Sequence, residues 1–228
     1  MDVHARLRAL ADPALVPGQE RYFRHQQRFL GVRGALLHTV ARDCLPADPS
    51  PEGILRASVE LLGSPWMEER LVGALWLRRH ERRLPPDLVD RLEAPVAATV
   101  DNWAVADTLA GGVLRRRVFR VEAERARLRT WIRSPSPWSR RIALVTYVNE
   151  ARTGRHDDEI LALAAQVLGD RERFVQLGLG WALRELSRAD RPRVVAWLEA
   201  HHDGMSREGL RYAVEKLPPD ERARVLAR

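Results

Sequence analysis

The sequence has one cysteine among 228 residues, and its only lysine is Lys216. A lone Cys44 excludes an internal disulfide and any zinc site built from several cysteines. It reads as a small buried hydrophobe. Lys216 stands near the C-terminus between Glu215 and Leu217, in what looks like ordinary helix, which argues against covalent catalysis through a lysine Schiff base. No apolar run approaches membrane-spanning length. No apolar signal core follows Met1-Asp2-Val3-His4, so a cytoplasmic location is the expectation. There is no Walker-type glycine loop, no dinucleotide glycine motif and no serine elbow. The seven histidines form no metal constellation. His201 and His202 are adjacent, would point apart on a helix, and suit a helix C-terminus. Neither a metal nor a cofactor is expected.

Arginine is what the chain has in excess. Lys and Arg number 38 against 31 Asp and Glu, a formal charge of +7. Such a balance favours polyanions, nucleic acid first, and arginine's planar fork is the better phosphate ligand. A GC-rich genome would give the same composition without selection for nucleic acid.

Strand signals are missing too: nothing alternates with period two, and no Asn-Gly hairpin turn occurs. Apolar residues instead recur at three-four spacing, as in Ile142-Val145-Val148 and Ile160-Leu163-Val167. The class is all-α. Expected helix starts at Ser64, Asp101, Ser136, Asp170 and Ser206 lie roughly 35 residues apart, as in helical repeats. A second set near Ser50, Pro86, Arg120, Asp157 and Asp190 keeps the same step. Ser64-Pro65-Trp66 and Ser136-Pro137-Trp138 even share letters. Breaks are expected at Gly111-Gly112 and at the Pro clusters. Stacked antiparallel helix pairs make a solenoid with one concave face; an irregular helical bundle is the alternative. No low-complexity linker divides the chain, so residues 1–228 read as a single domain. Residues 1–45 are expected to form N-terminal capping helices, one of them from Gln19 to Phe29 and another from Leu36 to Cys44.

Trp103 and Asp107 are four residues apart, which on a helix puts an indole and a carboxylate on one face. Trp138-Ser139-Arg140-Arg141 and Gly180-Trp181-Ala182-Leu183-Arg184-Glu185 add arginine and a further indole at a similar phase. Such a set can hold a cationic ring beside a phosphate. The plainer alternative makes Trp103 and Trp181 core anchors and Asp107 a solvated helix residue.

These segments, with Trp131-Ile132-Arg133-Ser134, Arg173-Phe174-Val175-Gln176 and Met205-Ser206-Arg207-Glu208, resemble the AlkD-like DNA alkylation repair glycosylases from about Tyr22 to Leu217. The resemblance implies a right-handed solenoid of HEAT-like antiparallel helix pairs with a basic concave face. It implies that Trp103 and Asp107 are the family's Trp and catalytic Asp, and Trp181 its second active-site Trp. Arg141 would be its DNA-contacting arginine and Tyr22 its N-terminal tyrosine, followed by Phe29-Leu30-Gly31. Ala104 departs from the acid the family often has after the first Trp.

The implied activity is hydrolysis of the N-glycosidic bond of N3- or N7-alkylated purines in double-stranded DNA, the first step of base-excision repair, by a monomer. Repeat phase adds Arg140, Arg184, Arg207 and Arg211 to the expected DNA contacts. Two alternatives stand beside this: a non-catalytic solenoid binding distorted or branched DNA, and a protein-protein scaffold.

Overall fold

The computed structural model describes residues 2–24 and 26–227. Among them all regular structure is helical, and the only extended pairing is an isolated bridge between Arg28 and Trp66. No helix of the described residues is long and apolar enough to cross a membrane. The chain divides into two compact units, Met1–Arg117 and Val118–Arg228. No Pro, Gly or low-complexity run marks that boundary.

The first unit holds α1 (Val3–Ala9), α2 (Val16–Tyr22), α3 (Gly34–Asp43), α4 (Pro51–Leu62), α5 (Met67–His80), α6 (Leu88–Thr99) and α7 (Trp103–Thr108). Helix α5 packs on α3, α4 and α7, and α4 packs on α6. This gives two rows, α3-α5-α7 and α4-α6, which is the layering a helical repeat predicts. The N-terminal helices share the core of these repeats. Val3 and Leu7 of α1 meet Leu37 and Val40 of α3 and Val72, Leu75 and Trp76 of α5. Cys44 is fully buried there. The Trp76 indole N–H donates to the carbonyls of Ala41 and Cys44, at 3.1 and 2.8 Å, closing α3 onto α5.

Two local expectations change. The helix expected from Gln19 to Phe29 stops at Tyr22, and His25 within that span lies outside the described residues. Arg24 has a left-handed φ of +52, which takes the chain out of the helix, and further on the amides of Leu30, Gly31 and Val32 donate to the carboxylate of Glu68. Gly31 has φ +90, and a Cβ there would lie 2.3 Å from the Asp12 carbonyl oxygen, so only glycine fits. Nor does Gly111-Gly112 break the chain. Residues Leu109–Leu114 run on from α7 as a π-helix into α8 (Arg115–Val118). Leu109, Ala110, Val113 and Leu114 are fully buried. Their burial holds the helix through the glycines, which the wider turn accommodates.

The second unit holds α9 (Glu122–Thr130), α10 (Pro137–Val145), α11 (Val148–Ala151), α12 (Asp157–Gln166), α13 (Arg173–Leu186), α14 (Arg191–His201), α15 (Arg207–Ala213) and α16 (Pro219–Leu226). Helix α13 packs on α10 and α15, while α14 packs on α16, repeating the two-row pattern. His201 ends α14 with its ring stacked on Trp197 at 4.4 Å.

Helix starts at Ser50, Ser136, Asp190 and Ser206 are the N-caps expected. Others sit further along: Trp66 rather than Ser64, Asn102 rather than Asp101, Glu172 rather than Asp170. A recurring turn explains two of these shifts. Ser64 Oγ accepts from the Trp66 amide at 3.0 Å and Asp170 Oδ1 from the Glu172 amide at 2.9 Å. A short polar side chain bonding its own backbone two residues on sets the turn one step before the cap. Ser134 does the same for Ser136, so Ser64 corresponds to Ser134 and the shared Ser-Pro-Trp letters are out of structural register.

Candidate nucleic-acid site

In the first unit the site is built where α7 begins. Asn102 caps the helix, its side-chain oxygen accepting from the Val105 amide at 3.0 Å. Trp103 and Asp107 follow, one turn apart and both half-buried. The Trp103 ring stacks on Phe23 at 5.1 Å with a 4° interplanar angle. Tyr22 meets the same indole edge-on at 5.7 Å, and Phe29 tilts against Phe23 at 5.3 Å. Tyr22 is 70% exposed, the most exposed large hydrophobic side chain among the described residues. The structure thus brings Tyr22, Trp103 and Asp107 to one place. It adds Phe23, whose only sequence signal was its adjacency to Tyr22 in a chain with 6% aromatics.

Behind the aromatics lies a buried polar scaffold on α5 that the sequence did not reveal. Glu68, Glu69 and Arg70 are all buried. The Glu68 carboxylate takes the Leu30, Gly31 and Val32 amides at 3.0 to 3.1 Å, fixing the segment that follows Phe29. Glu69 accepts from Ser64 Oγ at 2.5 Å and pairs with His4, tying α1 to α5. Arg70 donates to the Leu62 carbonyl at 3.0 Å, to Gln27 Oε1 at 2.9 Å, to Asp101 Oδ1 at 2.7 Å and to the Thr99 carbonyl.

The second unit carries the remaining expected residues. Arg141 is buried on α10, with Nη1 donating to the Phe174 carbonyl at 2.7 Å. Arg140 forks onto Asp170 at 2.6 and 3.3 Å and onto the carbonyls of Ser134 and Pro135. Arg184 reaches Glu185 at 2.8 Å and Glu215 at 3.0 Å, with its guanidinium 4.5 Å from the Tyr212 ring. Arg207 and Arg211 lie on α15, exposed and ion-paired to none of the described residues. Trp181 is half-buried on α13, two turns beyond Phe174, whose ring tilts against Trp138 at 5.0 Å. Lys216 pairs with Glu215 at 2.9 Å. That bond and Arg184 hold the Glu215 carboxyl below the ordinary carboxylate range. No group of three or more His, Cys, Asp or Glu among the described residues is placed to hold a metal ion.

An aromatic-carboxylate face on a helical repeat, in a chain rich in arginine, can cradle a cationic base and engage phosphate. Comparison with known proteins bears on the fold and the family. The fold is similar to a solved structure described as a predicted DNA alkylation repair enzyme from Enterococcus faecalis, with TM-score 0.79 and 17% identity over 92% of this chain and 97% of that one. It is also similar to AlkD2 from Streptococcus mutans, with TM-score 0.58 and 15% identity over 80% of this chain and 89% of that one. No curated protein matches the chain significantly. The family model for DNA alkylation repair enzymes matches residues 3–217, and the chain belongs to that family.

Proposed function

We propose that this protein is a monofunctional DNA glycosylase that hydrolyses the N-glycosidic bond of N3- or N7-alkylated purines in double-stranded DNA. The observation that carries this reading is the first-unit assembly: Asp107 one turn beyond Trp103, with Phe23 stacked on that indole and exposed Tyr22 at its edge. N-alkylation at N3 or N7 leaves the purine positively charged and therefore a good leaving group. The remaining task is to stabilise the sugar as it becomes an oxocarbenium ion and to deliver water to it. A carboxylate does both, by its negative charge and by accepting a proton from the attacking water. Trp103 holds the cationic nucleotide through its ring face, at about 0.5–2 kcal/mol. Phe23 covers one face of the Trp103 indole, so the ring is held in place before the lesion arrives. Arg141 and Trp181 take their roles from the family resemblance alone: in it Arg141 fixes a backbone phosphate, whereas here its guanidinium is buried and gives an N–H to the Phe174 carbonyl.

The direct test is release of free methylated purine from methylated duplex DNA by the purified protein. Failure to release any base under conditions where the protein binds that DNA would overturn the reading. The abasic strand left behind is expected to stay intact, since Lys216, the one lysine, is engaged with Glu215. Borohydride trapping of a covalent protein-DNA adduct, or strand scission without added base or heat, would contradict the monofunctional assignment.

Arg207 and Arg211 are exposed, and no described carboxylate pairs with them, so they are assigned to bind phosphate. Removing one phosphate-binding charge should make the slope of log affinity against log salt shallower by about 0.9. Replacing both by glutamine should therefore flatten that slope by roughly two. The corresponding change at Arg140 should act mainly on stability, because its guanidinium is bonded within the protein. Fluorescence anisotropy across a salt series measures both, and an unchanged slope for the Arg207/Arg211 pair would remove them from the interface.

A further inference from the structure

A buried polar knot lies at the start of α7, the helix that carries Trp103 and Asp107. Arg70 is its centre. One guanidinium joins four separate stretches of chain: the end of α4 through the Leu62 carbonyl, the end of α6 through the Thr99 carbonyl, the loop after α2 through Gln27, and the start of α7 through Asp101. Gln27 and Asp101 also bond each other at 3.1 Å. Asn102 completes the knot. Its amide nitrogen donates to Asp101 Oδ1 at 3.0 Å while its oxygen caps α7 at Val105. Arg70, Gln27 and Asn102 are all buried, whereas the Asp101 side chain is 59% exposed.

The placement of these residues gives the knot its meaning. Gln27 follows Tyr22 and Phe23 by four or five residues, and Asp101 precedes Trp103 by two. The two stretches of chain whose rings stack as Phe23 and Trp103 are therefore clamped to each other a few residues away. The helix so clamped carries Asp107 one turn further on. A carboxylate that stabilises a sugar cation must be fixed in place beforehand, because a displacement of about 1 Å can cost on the order of 10² in rate.

We infer that the Arg70-Gln27-Asp101-Asn102 knot is the positioning element of the site: it sets Trp103 and Asp107 against Tyr22 and Phe23. These are positioning residues and need touch neither DNA nor the reacting atoms. The inference rests on the glycosylase reading for its consequence in rate, and on geometry alone for its consequence in structure.

Two readouts test the two parts. The variants are Asp101→Ala and Gln27→Ala, which leave Arg70 in place with its bonds to the Leu62 and Thr99 carbonyls. Asp101→Asn is the conservative control, since it keeps an oxygen for Arg70. The first readout is the 19F signal of Trp103 in protein labelled with 5-fluorotryptophan, assigned by Trp103→Phe. Loss of registry with the Phe23 ring should shift and broaden that signal in both alanine variants, and Asp101→Asn should return it towards the wild-type position. The second readout is single-turnover release of methylated purine at saturating protein, well below each variant's melting temperature. The alanine variants should lose about tenfold or more in rate while DNA affinity changes by no more than about twofold. Asp101→Asn should recover most of the rate. An unmoved 19F signal would overturn the inference, as would a shifted signal with an unchanged rate. Wild-type protein that releases no base would sink the glycosylase reading, and the 19F signal would still decide whether the knot positions Trp103.

Discussion

Asp107→Asn is expected to slow release of alkylated purine by on the order of 10²–10³, a loss of about 2.7–4 kcal/mol of transition-state stabilisation. The substitution keeps the shape of the side chain and removes only its charge and basicity. It sits on a helix capped by Asn102 and continued through a buried π-helix, so the backbone at residue 107 should not move. The charge matters most when the sugar is positive, which is in the transition state and not in bound substrate. Ground-state affinity should therefore change little, since a carboxylate near DNA repels phosphate. Trp103→Ala should behave differently. It removes the partner of both Phe23 and Tyr22 and should weaken lesion binding and turnover together. Single-turnover rates of wild type and Asp107→Asn at matched DNA occupancy decide the matter. Equal rates would make Asp107 an ordinary helix residue.

The helices were legible because burial follows their period. Ile142, Ile160 and Leu163, which recur at three-four spacing, are 0 to 2% exposed. The row α3-α5-α7 in the first unit and the row α10-α13-α15 in the second each agree with the repeat that the spacing of start signals implied. What misled was local chemistry with a distant partner. Met67-Glu68-Glu69-Arg70 puts three charged side chains in one helical turn, yet all four residues are buried. Their charges satisfy backbone and side chains contributed by residues 4, 27, 30–32, 62, 64, 99 and 101. Nothing in the run itself announces those partners. Likewise Gly111-Gly112 is a break by composition, and only the burial of its flanking residues keeps it helical.

The site divides along the same line. Trp103 and Asp107 share a face by spacing alone, and Tyr22 entered through the family resemblance. Phe23, Gln27 and Arg70 did not emerge, because their partners lie far away in sequence: Gln27 and Asp101 are 74 residues apart. The arginines show a different limit. Repeat phase groups Arg140, Arg141, Arg184, Arg207 and Arg211 together. A guanidinium aimed at solvent and one aimed at the next repeat share that phase. Arg140 meets Asp170 across 30 residues, and Arg184 meets Glu215 across 31. Spacing cannot separate them from Arg207 and Arg211.

The second large effect is expected at Glu68, on stability. Its carboxylate is 2% exposed and accepts from three consecutive amides, which have no helix or sheet to return to. Glu68→Ala strands these donors in a space water does not reach, and each buried unsatisfied group costs about 1–3 kcal/mol. Relaxation of the loop recovers part of that, so a net loss of about 3–5 kcal/mol is expected, in line with breaking a buried charged network. At about 2–4 °C per kcal/mol, thermal unfolding of the first unit should come on the order of 10 °C earlier. Glu68→Gln should fall between the two. It keeps one acceptor oxygen and turns an amide nitrogen towards the remaining N–H groups. The loss should reach the site as well, because residues 30–32 hold Phe29 against Phe23 and Phe23 against Trp103. Calorimetry of the three proteins measures the stability loss. A Glu68→Ala protein melting within about 2 °C of wild type would mean that the amides find other partners. The segment from Phe29 to Val32 would then be set by packing, not by the buried carboxylate.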